Sequence, residues 1–72
     1  MNKRIAIYPG SFDPFTIGHH DIVMRGLEIF DEIIIGIGHN YTKRESFSVE
    51  ERLRIIQRAY NNQPRVRVEA YD

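Results

Sequence analysis

Apolar and polar positions recur with clear periods along this chain, and five elements follow from them. Residues 3–8 (KRIAIY) alternate, with Ile5 and Ile7 on one face and Ala6 and Tyr8 on the other, which predicts a strand. Ile22, Val23, Gly26, Leu27 and Phe30 recur at helical intervals. They predict a helix over 21–30 whose apolar stripe covers a sheet. Asp21 then falls in that helix's first turn, where negative charge is favoured. Gly26 inside the helix costs up to about 1 kcal/mol relative to alanine, and close packing against a strand would explain it. Residues 32–38 (EIIIGIG) form an almost unbroken apolar run, as expected of a parallel strand covered on both faces. Ser48-Val49-Glu50-Glu51 is a capping-box pattern that starts a second helix. Val49, Leu53, Ile56 and Tyr60 line one face of it, Ala59 sits beside them, and Asn61-Asn62-Gln63-Pro64 ends it. Residues 65–71 alternate again, with Arg65, Arg67, Glu69 and Tyr71 outward and Val66, Val68 and Ala70 inward.

Strand, helix, strand, helix, strand with right-handed crossovers implies an α/β fold of three parallel strands in the order 3-2-1. This is the N-terminal βαβαβ half of a Rossmann-like doubly wound parallel sheet, so residues 1–72 are expected to form a single, partial domain. Ligands of such sheets bind beyond the carboxyl ends of the strands, where the strand order reverses. That point lies beside the first strand. With no fourth strand across it, the first strand is expected to be an open edge, able to pair with another chain.

Composition narrows the function classes. Ten acidic and ten basic residues balance across 72, so the chain lacks the basic surplus of a nucleic-acid-binding module. The absence of cysteine excludes a disulfide staple, a thiolate nucleophile and a thiolate metal site. No apolar run approaches the roughly 20 residues that span a bilayer. The start, Met1-Asn2-Lys3-Arg4-Ile5, leads straight into a strand and leaves no room for a signal peptide. A cytoplasmic protein without membrane or nucleic-acid partners is expected.

The polar chemistry is concentrated in one connection, residues 8–21, YPGSFDPFTIGHHD. Gly10 and Gly18 can take backbone angles closed to other residues, and Pro9 and Pro14 stiffen the loop. Ser11, Asp13, Thr16, His19 and His20 supply polar groups. A glycine-containing turn between a strand and a helix aims N–H groups and the positive end of the helix dipole at one spot, where a phosphate binds well. A purely structural turn could share that composition; the order of residues distinguishes the two. Thr16-Ile17-Gly18-His19, after Gly10-Ser11-Phe12-Asp13-Pro14, resembles the signature of the nucleotidyltransferase superfamily: His or Thr, any residue, then Gly-His at the first helix. Within it the stretch is most similar to the phosphopantetheine adenylyltransferase family, which has Tyr-Pro-Gly and Ser or Thr before Phe-Asp-Pro, and Thr first in the four-residue motif.

That resemblance implies transfer of AMP from ATP to 4′-phosphopantetheine, giving dephospho-coenzyme A and pyrophosphate. It implies Mg2+ carried on the ATP phosphates with no metal ligand from the protein, and a homo-hexamer. It assigns His19 to ATP binding and transition-state stabilisation, Ser11 to both acceptor phosphate and ATP, and the Phe12 backbone to ATP. By the same resemblance Lys43, with Arg44 beside it, stands where the family places a lysine that orients the two substrates. Asp13 is expected to brace the loop, Thr16 to cap the helix or support the pocket, and His20 to stand exposed. Arg65 and Arg67 are expected to form a solvated face. A nicotinate mononucleotide or glycerol phosphate acceptor is the alternative, against which Thr16 and Tyr8-Pro9 speak. A half-domain that only binds phosphate is another. The resemblance reaches about the first half of the family's chain, and the Gly-Leu-Arg segment and Ser/Thr-rich motif that contact ATP in the family are absent from these residues. The 72 residues alone are therefore expected to be inactive.

Overall fold

A computed structural model describes residues 2–38 and 45–71. Strand β1 (Ile5–Gly10), helix α1 (Ile17–Gly26), strand β2 (Glu32–Gly38), helix α2 (Val49–Ala59) and strand β3 (Val66–Tyr71) follow in that order. The three strands are parallel and adjacent in the order β1-β2-β3. Ile7 lies opposite Ile34, and Ile35 opposite Val68.

Two boundaries differ from the periodicity. β1 runs two residues later than 3–8, because Pro9 and Gly10 continue the ladder opposite Gly36 and Ile37. Proline is tolerated there because β1 is an edge strand. α1 starts at Ile17, four residues before 21, capped by Thr16. Asp21 is consequently not in the first turn, which holds no acid; it pairs with Arg25 one turn on, at 3.0 Å.

Both helices lie on one face of the sheet. Ile33, Ile35 and Ile37 of β2 point to that face and are buried with Val23 and Leu27 from the α1 side and Ile56 and Tyr60 from the α2 side. Gly26 explains itself here: a Cβ on it would meet Ile33 Cδ1 at 2.9 Å. The other face is open, so β2 is covered on one side only, contrary to the reading of its apolar run. Ile5 and Ile7 stay exposed there, and Ile34 is half-buried. Between them runs a row of charges, Lys3 to Glu32 at 3.5 Å and Glu32 to Arg67 at 2.9 Å. Such surface pairs contribute little to stability. Ala59 and Ala70, expected at the core, are exposed.

Arg65 is exposed, as expected of a solvated face, but its side chain is also engaged. Its guanidinium donates to the carbonyls of Leu27 (2.6 Å), Phe30 (2.8 Å) and Asp31 (3.0 Å), satisfying acceptors left over where α1 ends. Among the described residues, no helix is long and apolar enough to cross a membrane.

Candidate phosphate site at the tip of the first helix

β1 delivers the chain to the loop at Ser11, and α1 leaves it at Thr16. No glycine here uses a positive φ; Phe12 does, at 50°. For a bulky residue that region costs on the order of 1–3 kcal/mol and persists only when the surroundings enforce it. Enforcement is visible: the Phe12 ring is buried and lies over Gly10, where a Cβ would come within 2.9 Å of Phe12 Cζ. Gly10 is thus required for its missing side chain rather than for its backbone freedom.

Asp13 braces the loop, as expected. Its carboxylate accepts from the backbone N–H of Ser46 at 2.7 Å and of Phe47 at 2.9 Å, just ahead of the α2 cap at Ser48. Each oxygen thereby accepts one backbone N–H. Among the described residues, no three His, Asp or Glu side chains gather to hold a metal ion.

Thr16 and His19 close a capping box at the start of α1. The His19 N–H reaches Thr16 Oγ1 at 3.4 Å, and the Thr16 N–H donates to His19 Nδ1 at 2.9 Å. A backbone N–H can only donate, so Nδ1 carries the lone pair and the neutral ring's proton sits on Nε2. The cap therefore fixes the tautomer and leaves Nε2–H as the donor. The ring is held in place by Tyr8, Phe12 and Phe15, with centroids at 6.3, 5.0 and 5.4 Å.

The two helix tips differ in charge. The first turn of α2 contains Glu50 and Glu51, which neutralise its positive end; the first turn of α1 contains no acid. An anion is thus drawn to α1 rather than α2, where Ser11 is exposed and His19 half-buried. Ser11, Phe12 and His19 are brought to one edge of the sheet. Lys43 and Arg44 lie outside the described residues.

His20 is exposed but not isolated: its Nδ1 shares a 2.8 Å hydrogen bond with the Tyr60 hydroxyl at the end of α2. Burial, and secondarily the neighbouring Tyr8, pushes the Tyr60 phenol up to about 12. Because the folded chain resists losing this proton, the stabilisation is complete below pH 10 and is lost as pH rises towards 12. Urea midpoints should fall across that window and fall less in Tyr60→Phe. Parallel curves for the two proteins would contradict this environment for Tyr60.

Arg52 is the residue that periodicity did not reveal. It is 1% exposed, and its guanidinium donates to the carbonyls of Ser11 and, at 3.3 Å, Ser48, with the Glu45 carboxylate 2.9 Å away. On a helix wheel it reads as a polar-face arginine; of its partners, Ser48 and Glu45 are near in sequence and Ser11 lies 41 residues away.

Comparisons with known proteins bear on the family and the fold. Over 71 residues the chain is 54% identical to the phosphopantetheine adenylyltransferase of Syntrophotalea carbinolica, covering 99% of this chain and 43% of that protein. It is 51% identical to the enzyme of the same name from Bacteroides fragilis, covering 96% and 46%. The chain thus spans somewhat under half the length of these curated relatives. Among solved structures, NadR protein in complex with NAD and AMP-PNP superposes with a TM-score of 0.86 at 24% identity, over 96% of this chain and 20% of that one. A bifunctional NMN adenylyltransferase/ADP ribose pyrophosphatase from Francisella tularensis, complexed with AMP and a manganese ion, gives 0.79 at 25%, over 96% and 22%. These superpositions match the fold: the chain forms a Rossmann-like βαβαβ unit. The cytidylyltransferase-like family model matches residues 7–72, and the chain belongs to that family.

Proposed function

We propose that the protein carrying this chain is an adenylyltransferase that moves AMP from ATP to 4′-phosphopantetheine, producing dephospho-coenzyme A and pyrophosphate. The carrying observation is the α1 tip: an acid-free first turn with His19 clamped through Nδ1 so that Nε2–H is its free donor. The choice of acceptor rests on identity above 50% to enzymes of that name.

In this reading an oxygen of the acceptor phosphate attacks the α-phosphorus of ATP, and the bond to pyrophosphate breaks. The acceptor is already an anion near neutral pH, so no side-chain base is needed. The chain's task is alignment and charge stabilisation. His19 donates through Nε2–H to phosphoryl oxygens as charge accumulates, the Ser11 hydroxyl meets the acceptor phosphate and ATP, and the Phe12 N–H meets ATP. Lys43 orients the two substrates. Magnesium would be carried on the ATP phosphates, where it would shield the pyrophosphate charge, with no ligand from the protein. A cytoplasmic homo-hexamer belongs to the same reading.

The test joins residues 1–72 to the part of the Syntrophotalea carbinolica relative that lies beyond the match. Pyrophosphate release is then measured with ATP and each acceptor. Turnover with 4′-phosphopantetheine is expected, and negligible turnover by the 72-residue chain alone. Turnover with nicotinate mononucleotide or glycerol phosphate, and none with phosphopantetheine, would reverse the choice of acceptor. Robust dephospho-coenzyme A formation by the 72-residue chain would show that these residues suffice.

A further inference from the structure

We propose that Arg52 is a positioning residue that aims the Phe12 N–H at the nucleotide by locking the peptide plane between Ser11 and Phe12. Arg52 donates to the Ser11 carbonyl from the body of α2. In a planar trans peptide the C=O of one residue and the N–H of the next point in opposite directions. Holding the Ser11 oxygen towards α2 therefore turns the Phe12 N–H away from α2. The same lock opposes the relaxation that Phe12 would otherwise undergo, because its φ of 50° is unfavourable for a bulky side chain. A flip of this peptide would relieve Phe12 and reverse the donor.

The partners of Arg52 support alignment over stability. Its donors go to Ser11 in the connection after β1, to the α2 cap at Ser48, and towards Glu45 in the connection before α2. Asp13 crosses the same gap in the other direction, to Ser46 and Phe47. Burying such a charge is costly, and a well-packed apolar residue of similar volume would often hold a structure at least as well. A guanidinium contributes fixed donor directions instead.

This inference rests on the functional reading above for the identity of the ligand, and its test separates the two. In the joined protein, Glu45→Gln with Arg52→Met removes both charges and keeps the volume. The expected result is a thermal midpoint near that of the parent, kcat at least tenfold lower, and KM for phosphopantetheine within threefold. Arg52→Lys, which keeps the charge but not the fork, should show the same split. Either variant folding normally with kcat within twofold of the parent would overturn the proposal. So would both failing to fold, since Arg52 would then act through stability alone. A second readout does not depend on the acceptor. Inorganic pyrophosphate titrated into the 72-residue chain labelled with 15N-phenylalanine should shift the Phe12 amide, and Arg52→Lys should abolish the shift. If the joined parent ignores phosphopantetheine but the amide behaves this way, the acceptor assignment fails and the role of Arg52 stands. An amide shift unaltered by Arg52→Lys removes that role.

Discussion

Replacing His19 with alanine is expected to lower kcat of the joined enzyme by about 10²–10³-fold, the loss typical of one preorganised donor to a developing oxyanion. KM for each substrate should change only a few-fold, because the Nε2–H contact strengthens as charge moves onto the phosphoryl oxygens. Alanine also removes half of the α1 capping box, since Nδ1 accepts from the Thr16 N–H. His19→Gln separates the two effects. Glutamine at the third helical position can rebuild the box, as Glu51 does for Ser48 in α2, so the helix start survives. Turnover should stay low in both variants, while thermal stability should recover in His19→Gln. If kcat is unchanged in both, His19 has no part in the chemistry.

The largest expected loss of stability is at Ile35. Its side chain is fully buried at the centre of β2, within the core formed by Ile33, Ile37, Ile56 and Val23. Ile35→Ala should cost about 2–5 kcal/mol. Folded domains hold only about 5–15 kcal/mol in total, and one this small sits low in that range. A large unfolded fraction at room temperature is therefore expected in circular dichroism. Ile7→Ala is the control: Ile7 is 69% exposed on the open face, and its loss should stay within about 0.5 kcal/mol. Equal losses at the two positions would refute a one-sided core.

Local chemistry was legible in the sequence, and distant partners were not. β2 matched residues 32–38, and the α2 cap was found at Ser48, because an unbroken isoleucine run and a Ser-x-x-Glu box each act over a few residues. Thr16 was already a candidate cap for α1, but the apolar periodicity began only at Asp21, and the box is closed by a histidine rather than by Glu or Gln. Covering β2 on both faces was the natural reading of EIIIGIG, yet consecutive right-handed crossovers place both helices on one side. Arg52 looks like a solvent-facing arginine on its helix, and Arg65 stands exposed just before β3. Their carbonyl partners lie up to 41 residues away, at Ser11, and across the molecule at Leu27 and Phe30. No periodicity can report such pairings. The loop after β1 was legible as a motif, while the reason for Gly10, the ring of Phe12 lying over it, depends on the fold.

The uncovered side of the sheet has a calorimetric consequence. Heat capacity rises on unfolding mainly because apolar area becomes hydrated. Ile5, Ile7 and Tyr71 are hydrated before the chain unfolds. The increment per residue for these 72 residues should therefore fall below the usual figure of about 12–15 cal/mol/K, and the curve of stability against temperature should be correspondingly flat.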